Sequence, residues 1–88
     1  AAVRRVLIVE DNEDARRTLR ALLELNGHVV ADAPDGPSGL LAARTFRPEI
    51  ALVDIGMPGM NGYEVAAALR AEHGGTLRLV ALSGYGLP

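Results

Sequence analysis

The chain contains no cysteine and no lysine. Without cysteine, neither a disulfide framework nor a thiolate metal site can form, and an intracellular setting is compatible. No apolar run approaches the roughly 20 residues needed to cross a bilayer, and the amino-terminal stretch lacks the pattern of a secretory signal. The expectation is a soluble, cytoplasmic domain that does not insert into membranes. A basic stripe is also missing: nine arginines are scattered among eleven acidic residues, for a net charge of −2. That balance argues against direct binding of nucleic acid or an anionic membrane surface. Repeats, linkers and low-complexity segments are absent as well. What remains is 88 residues, 49% of them hydrophobic, enough for one small core. Residues 1–88 are therefore read as a single domain.

Three short runs are continuously apolar: Val6 to Val9, Ile50 to Val53 and Leu79 to Leu82. Such runs fit strands covered on both faces, as in a parallel sheet. His28 to Ala33 (HVVADA) is more polar and reads as an edge strand. Between the first two strands, Ala15, Leu19, Leu22 and Leu23 recur at helical spacing, with Arg16, Arg17, Arg20 and Glu24 on the other side. Asn12 suits the N-cap, Glu13 and Asp14 the first turn, and Gly27 the left-handed residue that ends the helix. A second helix starts at Asp35-Gly36-Pro37, turns Leu40, Leu41 and Ala43 inward, and stops before Pro48, although Gly39 is unfavourable in its interior. Asn61 caps a third helix running from Gly62 to about His73, with Val65, Ala66 and Leu69 buried and Gly74-Gly75 ending it. Alternating strands and helices predict an α/β three-layer sandwich with a parallel sheet and right-handed crossovers.

In open sheets of this kind, ligands bind beyond the carboxyl ends of the strands, where the connections leave for opposite faces. Glu10 and Asp11 follow the first apolar run and Asp54 follows the third. With the polar second strand at the edge, the first and third strands become neighbours about 4.8 Å apart, and the three carboxylates share a pocket. Three such charges repel unless a cation offsets them or some pKa values rise. Mg²⁺ suits this donor set, since it takes oxygen ligands from one or two carboxylates together with phosphate oxygens. The plainer alternative is that an acid after a strand is a solvated loop residue or a helix cap. That alternative is preferred for Glu13 and Asp14 and stays open, on pattern alone, for Glu10, Asp11 and Asp54.

Four stretches in order, "VLIVEDNEDARR", the glycine-ended helices, "EIALVDIGMPGMNGYEVA" and "LVALSGYG", resemble the receiver domain of two-component response regulators. The second quoted stretch is the most specific, and the resemblance covers essentially the whole chain. It implies the flavodoxin-like receiver fold, with strand order 2-1-3-4 here and a fifth strand and last helix missing. It implies that Asp54 is the phosphoacceptor, a nucleophile that becomes an aspartyl phosphate. Asp11 and Asp54 would hold Mg²⁺ directly, Glu10 through water and Gly56 through its backbone carbonyl. Ser83 would hydrogen-bond the attached phosphoryl group. The implied protein is not an enzyme beyond promoting its own phosphorylation and dephosphorylation. It would take phosphate from a histidine kinase or phosphotransfer protein and pass the change to an output domain of unknown kind.

The remaining notable residues read as structural. Pro58 and Gly59 suit a tight turn, Met57 and Met60 packing, and Gly62 the start of a helix. His28 and His73 have no partners at metal or catalytic spacing. Tyr63 and Tyr85 are assigned no role in the site. The family also uses a lysine at the end of the fifth strand, and this chain has none. Expected in consequence is a truncated chain whose "LRLVAL" strand is an exposed edge open to pairing and oligomer formation. Two other functions compete with the signalling one. A Mg²⁺-dependent phosphohydrolase of the haloacid-dehalogenase type would need a second Asp where Gly56 stands. A receiver-like interaction domain that takes no phosphate would explain the missing lysine but not the retained Glu10, Asp11, Asp54 and Ser83.

Overall fold

A computed structural model describes residues 2–57 and 59–82. Strand β1 (Arg5–Val9) leads to helix α1 (Glu13–Leu25), β2 (Val29–Ala33), α2 (Gly36–Phe46), β3 (Ile50–Asp54), α3 (Gly62–His73), a short 3₁₀ turn and β4 (Arg78–Leu82). The four strands are parallel and lie in the order β2-β1-β3-β4, so the polar strand is at the edge as the sequence suggests. Val6, Leu7, Ile8 and Val9 are all buried, because the central strand is covered on both faces. Right-handed crossovers out to β2 and then back past β1 to β3 place α1 on one face and α2 and α3 on the other. The main core lies on the second face, where Leu7, Val9, Ala51 and Val53 meet Ala43, Val65 and Leu69. Among the described residues, β4 pairs with β3 alone.

The helix ends follow the local chemistry. The Asn12 side chain accepts the Ala15 N–H at 2.9 Å. At the other end of α1, the N–H of Gly27 bonds the Glu24 carbonyl and that of His28 bonds the Leu23 carbonyl, at 2.9 and 3.1 Å. This paired closure around a left-handed Gly27 satisfies carbonyls the helix would otherwise leave bare. Asp35 caps α2 by accepting the Ser38 N–H at 2.8 Å. Asn61 and Glu64 form a reciprocal capping box on α3. Helix α2 stops at Arg47, ahead of Pro48 as expected, but Arg47 takes a left-handed φ of 54° rather than an extended conformation.

Two expectations about helix faces need correction. Leu22 and Leu41, placed inward from their spacing, are 53% and 62% exposed. In α2 the buried positions are Gly36, Gly39 and Ala43, a stripe of small residues that lets the helix lie close to the sheet. A Cβ added at Gly39 would sit 2.8 Å from Val9 Cγ2, so the glycine that costs helix propensity gives close packing in return. On α1, Arg16 and Arg20 were expected on the side away from the sheet. Both reach back to Asp32 in β2 instead, with Arg16 Nε 3.5 Å and Arg20 Nη1 2.8 Å from its carboxylate.

Candidate phosphoacceptor and metal site

Glu10 and Asp11 directly follow strand β1, and Asp54 is the last residue of β3. Because β1 and β3 are hydrogen-bonded neighbours in register, Val9 beside Val53, their carboxyl ends open on the same rim of the sheet. Carboxylate oxygens of Glu10, Asp11 and Asp54 lie within 4.8 Å of one another. Glu10 and Asp54 are buried, at 2% and 8% exposure, whereas Asp11 faces solvent.

Among the described residues, each buried acid has one backbone N–H bonded to one of its carboxylate oxygens. Glu10 Oε2 accepts the Asn12 N–H at 3.0 Å, while its Oε1 is buried with no hydrogen-bond partner among the described residues. Burial pushes the Glu10 carboxyl up from its ordinary 4.5 to about 7, against the Asn12 N–H that favours ionisation, with Asp54 and Asp11 adding to the rise. Asp54 Oδ1 accepts the Gly56 N–H at 2.9 Å. Gly62 opens α3 directly behind Asp54: a Cβ there would fall 2.4 Å from the Asp54 carbonyl oxygen, so only glycine lets the helix start this close. An orphaned buried oxygen, a raised carboxyl and three converging acids fit a hard divalent cation with oxygen ligands.

Most other sequence assignments can be located. Glu13 and Asp14 stand in the first turn of α1, Glu13 paired with Arg17 at 2.9 Å, outside the acidic cluster. Met57 is buried in the core and Met60 packs against it. Gly59 has the positive φ of 76° that suits a turn. His28 Nδ1 accepts the Arg4 N–H at 3.1 Å, a structural bond between the start of β1 and that of β2. His73 is the last residue of α3 and Tyr63 is exposed near its start. Pro58, Ser83 and Tyr85 lie outside the described residues. The sequence reading missed the Arg16–Asp32–Arg20 cluster. Its signal was present, since the strand period puts Asp32 on the same face as Val30, a position where a carboxylate can meet a covering helix.

Comparison with known proteins agrees with this architecture. The chain is 42% identical over 68 residues to protein PilH of Pseudomonas aeruginosa, covering 77% of this chain and 56% of PilH. It is 41% identical over 78 residues to the transcriptional regulatory protein CseB of Streptomyces avermitilis, covering 89% of this chain and 32% of CseB. The chain thus spans about half the length of one curated relative and about a third of the other. Among solved structures, response regulator protein TrrA of Thermotoga maritima, in complex with Mg²⁺-BeF, superposes with a TM-score of 0.86 at 27% identity, covering 96% of this chain and 72% of TrrA. The family profile described as the response regulator receiver domain matches residues 6–87. With its 2-1-3-4 parallel sheet and its acids gathered at the ends of β1 and β3, the chain belongs to the response regulator receiver domain family of two-component systems.

Proposed function

We propose that the chain is a phosphoacceptor module that receives a phosphoryl group on Asp54 from a histidine kinase or phosphotransfer protein. The observation that carries this reading is the convergence of Glu10, Asp11 and Asp54 within 4.8 Å at the rim of the sheet. An Asp54 oxygen attacks the phosphorus of a phosphohistidine; the O–P bond forms as the P–N bond breaks. The bonding pair returns to the ring nitrogen, and the histidine, protonated beforehand on its other ring nitrogen, leaves as a neutral imidazole. The Gly56 N–H, which bonds Asp54 Oδ1, fixes the carboxylate and leaves Oδ2 as the oxygen that attacks.

Asp11, Asp54 and the Gly56 carbonyl are the proposed direct Mg²⁺ ligands, Glu10 acts through water, and Ser83 hydrogen-bonds the phosphoryl group. Bound Mg²⁺ supplies charge neutralisation for the phosphoryl oxygens, so that catalysis rests on positioning and electrostatics. The complex of TrrA with Mg²⁺-BeF supports this choice of ion. The added phosphoryl charge then alters the surface read by an output domain. Residues 1–88 act as one receiver unit, and the side of β4 that is unpaired among the described residues suits pairing with another strand, such as that of a second copy.

The test is intact-mass measurement after incubation with Mg²⁺ and a small acyl phosphate. A single phosphoryl adduct on the native protein and none on Asp54→Asn is the expected result. Equal labelling of both proteins contradicts the assignment. Continuous release of free phosphate over many turnovers, without an accumulating adduct, would instead favour the phosphohydrolase.

A further inference from the structure

The carboxylates of Glu10 and Asp11 are joined through one peptide unit, whose carbonyl is held by Arg16 while the peptide before it is tied to β2. The Glu10 N–H bonds the Ala33 carbonyl of β2 at 3.1 Å. The Glu10 carbonyl accepts a bond from Arg16 Nη1 at 2.9 Å. Arg16 is itself oriented: its Nε lies 3.5 Å from Asp32 Oδ1, and the side chain is only 17% exposed. Arg20, one turn later on α1, holds the other Asp32 oxygen at 2.8 Å. The Glu10 carbonyl and the Asp11 N–H share one rigid plane, so a bond that fixes the first fixes the direction in which Asp11 leaves the strand.

We infer that Arg16 is a positioning residue for the divalent-ion site: its guanidinium, aligned by Asp32, sets the Glu10–Asp11 peptide so that both carboxylates converge with Asp54. The inference rests on the reading of the acidic cluster as an ion site. Two physical effects of Arg16 oppose each other there. Its positive charge repels a cation in the cluster, and this repulsion alone would make removal of Arg16 tighten metal binding. Positioning works the other way, since groups that orient metal ligands typically raise affinity by about tenfold or more. The direction of the change therefore separates the roles.

The experiment uses Mg²⁺ as the probe, with binding followed by calorimetry and backbone amides by nuclear magnetic resonance. In metal-free protein, Arg16→Ala is expected to shift the amide resonances of Asp11 and Asn12, and in the titration to weaken Mg²⁺ binding about tenfold. Arg16→Lys, which keeps the charge and one donor, recovers part of both effects. Asp32→Asn leaves Arg16 in place but loosens its alignment, and shows the same shift with a smaller loss of affinity; it carries the test if Arg16→Ala does not fold. Unchanged or tighter Mg²⁺ binding across the folded variants, with the Asp11 amide unmoved, overturns the inference. Failure of the native protein itself to bind Mg²⁺ overturns the ion-site reading instead, while the metal-free amide shifts still report whether Arg16 sets the peptide.

Discussion

Glu10 is the residue at which folding and function pull hardest against each other. Its carboxyl is 2% exposed and Oε1 has no partner among the described residues, so ionisation without a cation costs folding free energy. With a carboxyl raised from 4.5 to about 7, the folded state holds the proton more tightly than the unfolded state. The stability this contributes is fully present below pH 4.5 and is lost as the pH rises through about 7. Glu10→Gln removes the titration while its carbonyl can still accept the Asn12 N–H. In metal-free protein at pH 8 the variant is expected to be about 2–3 kcal/mol more stable than the native chain, with a much smaller difference at pH 5. Urea unfolding at the two pH values measures this. Equal stability at pH 8 would mean that the Glu10 site tolerates the charge unaided.

Among the elements, the strands were the most legible and the helix faces the least. The runs VLIV and IALV fall on β1 and β3, because strands inside a parallel sheet carry apolar residues at nearly every position; LVAL falls on β4, which among the described residues is an edge strand left half-buried or exposed rather than covered on both faces. Caps were legible for a similarly local reason: Asn12, Asp35 and Asn61 each accept the expected backbone N–H. Which way a side chain leaves a helix depends on what lies across from it. Spacing sent Arg16 and Arg20 outward, but the carboxylate of Asp32, on a strand later in the chain, draws them back. Leu41 falls off the stripe of Gly36, Gly39 and Ala43 that faces the sheet, which no count of apolar residues reveals. The two close approaches make a prediction at this scale. Gly39→Ala and Gly62→Ala would place a methyl 2.8 Å from Val9 and 2.4 Å from the Asp54 carbonyl. Each is expected to cost about 1–3 kcal/mol in denaturant unfolding, and Gly62→Ala should also slow adduct formation on Asp54, whose backbone it displaces. Two neutral substitutions would show that α2 and α3 stand further from the sheet.

For the whole molecule, strand order is what turns separate stretches of sequence into a site. Glu10 and Asp54 are far apart along the chain, and their meeting depends on β2 taking the edge so that β1 and β3 pair. The polarity of HVVADA made that order readable, and the acids at the strand ends made the cluster readable with it. Ser83, which completes the proposed phosphoryl contacts, lies outside the described residues. A ligand that binds only the assembled rim must stabilise the whole fold, by about 2.7 kcal/mol at a hundredfold excess over its dissociation constant.

The central claim, that acids from two remote strands share one divalent ion, is tested most directly by titrating Mg²⁺ into the native protein and into Asp11→Asn at pH 8. The account predicts one ion per native chain, a rise in unfolding midpoint that follows Mg²⁺ concentration, and at least a tenfold loss of affinity in the variant, since an essential ligand has gone. Identical binding by both proteins, or no stabilisation of the native fold at any Mg²⁺ concentration, would contradict it.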